Sequence, residues 1–113
     1  MQIAACKFYF YRHRLAEALP YAQACLAETQ RRLNLPADWR DVQPADAAFD
    51  TLEPAPRMFL FALVANGYML ARLGRTDEGR AALVKVTELD PEDRMGARRL
   101  IAVIDRGVAD DDG

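Results

Sequence analysis

Hydrophobic residues along this chain recur every three or four positions, which is the spacing of one face of a helix. Between residues 15 and 34 the apolar positions fall roughly on one stripe: Leu15, Leu19, Ala22, Leu26 and Leu33. Valine, isoleucine and threonine nowhere alternate with polar residues over the length of a strand. The pattern predicts an all-α fold of about five helices, over residues 2–13, 15–34, 56–73, 76–89 and 90–107.

The helix predicted over 56–73 contains the run MFLFALVANGYML, which is apolar on almost every side. A helix of this kind is surrounded by protein, so we expect it to be the central and most buried one. Gly74 is a typical helix-ending residue. We expect Thr76 to cap the next helix. Asp90 is expected to cap the last helix, with Pro91 in its first position.

Residues 36–56, called the insertion below, read PADWRDVQPADAAFDTLEPAP and contain four prolines. A structureless loop of this length is uncommon in a compact domain. We expect the insertion to fold back onto the helices through its apolar side chains, Trp39, Val42, Phe49 and Leu52. Residues 44–52 have the composition of a short helical turn.

The chain has 113 residues, of which 51% are hydrophobic, and this is the size of one domain. We expect the domain to span 1–107 and a mobile acidic tail to span 108–113. A net charge of −2 gives no electrostatic reason to bind nucleic acid or an anionic membrane. No apolar run is long enough to cross a bilayer. The first residues are apolar and then basic, the reverse of a signal peptide, so a cytoplasmic location is expected.

Residues that usually carry out catalysis or hold metals are not grouped in this sequence. His13 is the only histidine, and Cys6 and Cys25 are far apart, so the spacing of a zinc site is missing. The acidic residues show no spacing that singles out a general acid and base. We therefore expect no enzyme activity, no metal and no cofactor. The cysteines are expected to be buried free thiols, with a redox pair as the alternative.

Residues 60–93 carry a spaced set of large, small and turn-forming residues. The set is Leu63, Asn66-Gly67, Leu70, Gly79, Leu83 and Pro91. It resembles the tetratricopeptide repeat, except that this chain has Asn66 where the repeat has a leucine. The resemblance implies two antiparallel helices whose backbones approach closely. Glycine inside a helix costs about 1 kcal/mol relative to alanine, so Gly67 and Gly79 are expected to serve a steric purpose at this crossing.

A weaker copy of the same pattern lies upstream. Aligning residues 11–18 with 72–79 places small residues at the crossing positions: Cys6 on Gly67 and Ala18 on Gly79, with Ala22 on Leu83 and Cys25 on Val86. The resemblance thus implies a right-handed solenoid of antiparallel helix pairs. It would contain one degenerate repeat with the insertion, one good repeat and a closing helix.

In this family the first helices of successive repeats line a concave groove that holds peptides. The resemblance implies a peptide groove formed by Lys7, Phe10, Tyr11, Phe61, Val64, Tyr68, Arg72 and Arg98. It implies a small adaptor or chaperone whose partner is a protein or peptide with apolar side chains and some acidity. The insertion covering this groove is an alternative that the residues leave open.

Two further functional alternatives stay open. One is a small-ligand-binding or catalytic helical protein with a pocket between the insertion and the helices predicted over 2–13 and 56–73. Its first candidate residues are Trp39, Tyr9, Tyr68 and Arg72. The other is a structural subunit that self-associates, for example as a homodimer, because repeat proteins usually need about three units for stability.

Overall fold

A computed structural model of the chain describes residues 15–106. This part of the chain contains four α-helices and no strand: α1, Leu15–Arg32; α2, Pro54–Arg72; α3, Thr76–Leu89; and α4, Ala97–Asp105. Two short 3₁₀ turns, Trp39–Asp41 and Pro44–Asp46, lie between α1 and α2. The all-α prediction is confirmed. The helix predicted over 2–13 and the tail predicted over 108–113 lie outside the described residues.

The ends of α1 and α2 are built in the same way. The amide of Leu35 donates to the carbonyl of Gln30 at 2.9 Å, and the amide of Arg75 donates to the carbonyl of Leu70 at 2.8 Å. The residue just before each of these amide donors has a left-handed backbone conformation, with φ of 56° at Asn34 and 95° at Gly74. These are Schellman motifs, which satisfy carbonyls that the helix itself leaves free. The prediction for Gly74 is confirmed, whereas α1 ends two residues before the predicted boundary.

Helix α2 is the centre of the fold. Eleven of its 19 residues are buried, which confirms the prediction made from its apolar run. It packs against α1 and against α3, and α4 packs mainly on α3. The buried side chains of α2 include Phe59, Leu63 and Met69, each with an exposure of 0%.

The backbones of α2 and α3 approach closely at the two glycines. A Cβ atom added to Gly67 would lie 2.9 Å from the carbonyl oxygen of Gly79 and 2.8 Å from Cγ of Leu83. One added to Gly79 would lie 2.7 Å from the backbone nitrogen of Ala71. The three-residue turn between the helices makes them antiparallel neighbours. The predicted close crossing at Gly67 and Gly79 is confirmed, and its reason is that neither position has space for a side chain.

One buried amide connects α1 to α2. The Asn66 side chain is 5% exposed and donates from Nδ2 to the carbonyl of Ala22 at 3.0 Å and to the carbonyl of Ala62 at 2.8 Å. Buried polar groups cost free energy unless they are hydrogen-bonded. Asn66 therefore fits the crossing of these two helices because both amide hydrogens have acceptors.

The predicted start of the last helix is wrong. Helix α4 begins at Ala97, and residues 90–96 form turns. The Asp90 carboxylate accepts from the amides of Arg94 at 3.1 Å and Met95 at 2.9 Å, so it stabilises this turn. Positive φ angles of 56° at Asp93 and 76° at Gly96 interrupt any continuous helix from Pro91. Asp90 is a turn-forming residue and not the cap of α4.

The predicted cap of α3 is also wrong. Thr76 is the first residue of that helix, and Arg75, which precedes it, makes no side-chain capping hydrogen bond. Arg75 instead forms an ion pair with Glu78 one turn further on, at 2.9 Å. The predicted end of α3 at Leu89 agrees with the structure.

The insertion packs against the helices, as predicted, through most of its apolar residues. Val42 has an exposure of 0% and Phe49 of 5%, and the Phe49 ring lies 5.7 Å from the Phe59 ring of α2. Trp39 is partly buried against the same core. Leu52 is 70% exposed, so the prediction that it packs is wrong. The last residues assigned to the insertion, from Pro54 on, already belong to α2.

Polar contacts from α1 and α3 hold the first part of the insertion in place. Gln30 of α1 donates to the carbonyls of Pro36 and Ala37 at 2.8 and 3.0 Å. Lys85 of α3 donates from Nζ to the carbonyl of Val42 at 2.9 Å, although its side chain is only 8% exposed. These contacts fasten the insertion on the side of the molecule formed by α1 and α3.

Helix α4 is fastened to α3 by a two-point ion pair. Arg80 donates from Nε and Nη2 to the two carboxylate oxygens of Asp105, at 2.7 and 3.0 Å. Beneath this pair, Ala97 is fully buried and the large aliphatic residues Leu100, Ile101 and Ile104 pack against the core. None of the described helices combines the length and the apolarity needed to cross a membrane.

Candidate peptide-binding surface

One face of α2 carries side chains that stay partly or fully exposed. Counting along the helix in steps of four, three, four and four residues selects Arg57, Phe61, Val64, Tyr68 and Arg72, which we call the α2 stripe. Steps of three and four keep residues on one side of a helix. The two arginines are exposed, and the three residues between them are half-buried. The four predicted groove residues that belong to α2 thus share this face.

At one end of the α2 stripe, an arginine and a tyrosine form a unit. Arg72 donates from Nη1 to the hydroxyl oxygen of Tyr68 at 2.5 Å, and its guanidinium carbon lies 5.6 Å from the centre of the tyrosine ring. The Tyr68 ring packs against a small cluster that includes Ala18 and Met69. The tyrosine side chain is therefore positioned both by its packing against the core and by its contacts with Arg72.

At the other end of the stripe lies an open depression of about 360 Å³, called the Leu52 depression below. Its lining residues come from the end of the insertion, from α2 and from the turn before α4: Leu52, Pro54, Arg57, Met58, Phe61 and Met95. The lining combines flexible apolar side chains with one guanidinium. Methionine side chains adapt readily to the shape of a ligand. This surface is suited to receiving an apolar side chain.

Arg57, Met58 and Leu52 were missed as candidate site residues. The signal for Arg57 was available, because it lies four residues before Phe61 on the same face. Because the helix was predicted to begin only at residue 56, Arg57 was placed at its very start and was not counted with the face that contains Phe61. Leu52 was expected in the core, so its place in the depression had no signal.

Arg98, predicted on the last helix, has a different setting. It is exposed, its guanidinium donates to the carbonyl of Pro91 at 3.1 Å, and its amide donates to the Asp93 carboxylate at 3.2 Å. Arg98 is thus engaged with the turn that precedes its own helix. Lys7, Phe10 and Tyr11, the other predicted groove residues, lie outside the described residues.

The insertion borders the α2 stripe at one end. Its anchoring contacts are made with Gln30, Lys85 and Arg94, the last donating to the carbonyl of Asp50 at 3.0 Å. Leu52, near the end of the insertion, lines the depression beside Phe61. The alternative in which the insertion covers the groove stays a prediction.

The charge on α2 has one sign. Its sequence PAPRMFLFALVANGYMLAR contains two arginines and no acidic residue. Within the described part of the chain, neither Arg57 nor Arg72 forms an ion pair, whereas Arg31, Arg75 and Arg80 do. Glu53 lies one turn before Arg57 but does not pair with it. The stripe therefore offers two positive groups at its ends.

Cys25 does not have the properties of a reactive thiol. It is a free cysteine with an exposure of 2%. Burial raises the pKa of the Cys25 thiol, which opposes formation of the nucleophilic thiolate. Cys6 lies outside the described residues. No group of three or more potential metal ligands occurs between residues 15 and 106.

The chain is similar to a protein of Azotobacter chroococcum mcd 1 described as an uncharacterized 19.8 kDa protein in the nifW 5′ region. The two sequences are 39% identical over 100 residues, which make up 87% of this chain and 56% of the relative. The chain therefore spans a little over half of the relative's length. No protein-family profile matches the chain, and no solved structure matches it.

Proposed function

We propose that this protein is a tetratricopeptide-like interaction module that binds a peptide segment of a partner protein along the α2 stripe. The proposal is supported by the spacing of Gly67 and Gly79, which lie at the small positions of the repeat and meet at the α2–α3 crossing. In this interpretation α2 and α3 are the two helices of the good repeat, and α4 begins the next one.

The upstream half of the chain is consistent with a degenerate repeat. Ala18, Ala22 and Cys25 of α1, which align with the crossing positions of α3, are buried with exposures of 0, 0 and 2%. Small buried residues allow α1 to lie close to α2. A right-handed solenoid of antiparallel pairs, with the insertion between its two repeats, is the arrangement that we propose.

The single observation that carries the binding function is the composition of the α2 stripe. Of the four described helices, α2 has the most buried residues, and it carries two half-buried aromatic residues, Phe61 and Tyr68, on a face bounded by arginines. Aromatic residues and arginine are the types that most often dominate binding energy at protein interfaces. An apolar face of one helix is a common docking element for peptides.

The direct test is selection of binders from a displayed library of random peptides, using the purified chain as bait. A selected peptide is then titrated into isotope-labelled protein and followed by nuclear magnetic resonance. We expect the largest chemical-shift changes at Phe61, Val64 and Tyr68. Selection of no peptide, or shifts centred on the opposite side near Gln30 and Lys85, would argue against the proposed function.

A matched pair of variants sharpens this test. Tyr68 and Tyr21 both pack against the same small cluster, but Tyr21 belongs to α1 and lies off the stripe. We expect Tyr68→Ala to weaken binding of a selected peptide about tenfold or more, the effect of removing an aromatic anchor. Tyr21→Ala should leave the affinity unchanged while costing similar stability. Equal losses of affinity would point to a general effect on folding.

The gene position of the relative suggests where to look for the natural partner. The protein from Azotobacter chroococcum is named for its place in the 5′ region of nifW. We propose that proteins encoded beside this chain's own gene are the first candidates. Co-expression of each with the chain, followed by affinity purification of the wild type and of Tyr68→Ala, tests them one at a time.

Self-association is the second candidate function, and α4 is the element that favours it. Val103 is half-buried, and it is absent from the aliphatic residues of α4 that pack against the core. Light scattering over a range of concentrations tests this, because a strict monomer excludes a homodimer.

The small-ligand alternative stays a prediction, for which native mass spectrometry would reveal a copurifying ligand. The cytoplasmic location also stays a prediction.

A further inference from the structure

The two arginines of the α2 stripe restrict the chemistry of the peptide that fits it. Arg57 and Arg72 are separated by fifteen positions of one helix, which is about 22 Å at about 1.5 Å per residue. Both are exposed, and neither has an acidic partner within residues 15–106. Between them lie only apolar and aromatic side chains. The surface is positive at both ends and apolar in the middle.

The arginines are continuous with the apolar part of the stripe. Arg57 lines the Leu52 depression together with Phe61 and Met95. Arg72 contacts the ring and the hydroxyl of Tyr68. A ligand that fills the depression and covers the tyrosine therefore lies within reach of both guanidinium groups. A guanidinium binds a carboxylate through two parallel hydrogen bonds, which favours acidic side chains at these two places.

We propose that the occupant of the α2 stripe is an extended peptide segment with apolar residues in its middle and an acidic residue toward each end. An extended chain covers about 22 Å in about seven residues, so the two acidic residues would be about seven positions apart. An extended segment can place an apolar side chain in the Leu52 depression of about 360 Å³ while its two ends approach the arginines. This inference rests on the proposed function, since it specifies the partner of the same surface.

The probe is a synthetic peptide of about ten residues, labelled with fluorescein, with glutamates about seven positions apart and leucine and phenylalanine between them. Fluorescence anisotropy measures its affinity for the wild-type chain. One control peptide has both glutamates replaced by glutamine. A second control places both glutamates side by side at one end. We expect the spaced acidic peptide to bind about tenfold more tightly than the glutamine control, which loses both ion pairs, and about three- to fivefold more tightly than the second control, which loses one, because exposed ion pairs each contribute a few-fold.

Variants of the protein test the two arginines separately. Arg57→Gln and Arg72→Gln should each weaken the spaced acidic peptide about three- to fivefold, and added salt should reduce the difference. Arg99→Gln is the matched control, because Arg99 is an exposed arginine of α4 away from the stripe. It should bind the peptide as the wild type does. Thermal melts followed by circular dichroism confirm that all three variants are folded.

A charge swap gives the decisive result. The double variant Arg57→Glu, Arg72→Glu should lose the spaced acidic peptide and gain a peptide of the same design with lysines in place of the glutamates. Equal binding of acidic and glutamine peptides, with no effect of the arginine variants, would overturn the acidic specificity. In that case an apolar peptide that depends on Tyr68 would still support the proposed function. If no peptide binds at any charge, the proposed function fails as well.

Discussion

At the scale of single residues, three positions carry information that composition does not. Glycine is required at positions 67 and 79 because a side chain there would clash with atoms of the neighbouring helix. Asparagine fits position 66 because its amide donates to two carbonyls. Helix propensity alone would replace both glycines by alanine and the asparagine by leucine. The contacts across helices override that preference.

Gly79→Ala should destabilise the protein, although alanine is the better helix former. A Cβ at this position meets backbone atoms of Gly67 and Ala71, which cannot move aside as a flexible side chain does. Overpacking of this kind costs about 1–3 kcal/mol, whereas propensity alone predicts a gain of about 1 kcal/mol. Urea unfolding measures the sign. Ala81→Gly, at an exposed position of the same helix, calibrates the propensity effect. A stabilised Gly79→Ala would disprove the close crossing.

Asn66→Asp should be much more harmful than Asn66→Leu. An ionised carboxylate cannot donate to Ala22 and Ala62, and burial of an unsatisfied charge costs about 3 kcal/mol or more. Leucine has a similar volume and no such conflict, so its cost should stay below about 1.5 kcal/mol. Burial would raise the pKa of the new aspartate, so the variant should recover stability as the pH falls. Thermal melts at neutral and acidic pH test this, and equal melting temperatures for both variants would contradict it.

At the scale of elements, a helix boundary was predictable where the nearby residues favour only one local structure. The ends of α2 and α3 were predictable from the local sequence, because Gly74 follows the end of α2 and the apolar period of α3 stops at Leu89. The start of α4 was not, since an aspartate followed by a proline is also typical of a helix start. Here Asp90 binds the amides of Arg94 and Met95, and left-handed residues then delay the helix.

The insertion should open when its anchor on α3 is removed. Lys85→Met keeps the apolar stem but removes the ammonium group that donates to the carbonyl of Val42. A hydrogen bond to a charged group contributes about 1.5–3 kcal/mol, so the equilibrium constant for opening of the insertion should increase about tenfold or more. Hydrogen exchange at the amides of Val42, Asp46 and Phe49 measures this opening. Glu88→Gln is the control, because it removes the ion pair at 3.0 Å but keeps the Val42 contact. Equal exchange in both variants would refute the anchor.

The attachment of α4 to α3 should depend on pH. The hydrogen bond from Arg80 lowers the pKa of Asp105 below its ordinary value. A lowered pKa in the folded state means that this contribution to stability is present above the ordinary pKa and is lost as the pH falls through the lowered one. Arg80→Gln should return the pKa of Asp105 toward its ordinary value, as measured by carboxyl resonances. The pKa of Glu28, lowered by its hydrogen bond from Arg31, should not change in this variant. An Asp105 that titrates alike in both proteins would contradict the ion pair.

At the scale of the whole molecule, the order and type of the helices were predictable, but the placement of the insertion was not. Periodicity reports which face of a helix is apolar, and so it identified α2 as the central element. It does not report which neighbour covers a given side chain. Val42 and Leu52 look alike in sequence, yet one is fully buried and the other is 70% exposed.

The candidate site shows the same limit. Phe61, Val64, Tyr68 and Arg72 were selected through the resemblance to a repeat, and they do share one face of α2. Arg57 was missed because its role depends on where the insertion ends and the helix begins. Arg98 was included, although its guanidinium bonds to the carbonyl of Pro91. Local pattern thus located the helix face, and only the three-dimensional structure located its ends.

The position of Trp39 makes the two parts of the molecule separately observable. It is the only tryptophan in the chain, and it sits in the insertion with the Arg40 guanidinium carbon 4.5 Å from the centre of its ring. Its intrinsic emission therefore reports detachment of the insertion, whereas far-ultraviolet dichroism reports loss of the helices. Two unfolding curves that superimpose would mean a single cooperative unit. An emission change at lower denaturant would mean that the insertion detaches from the core while the helices persist.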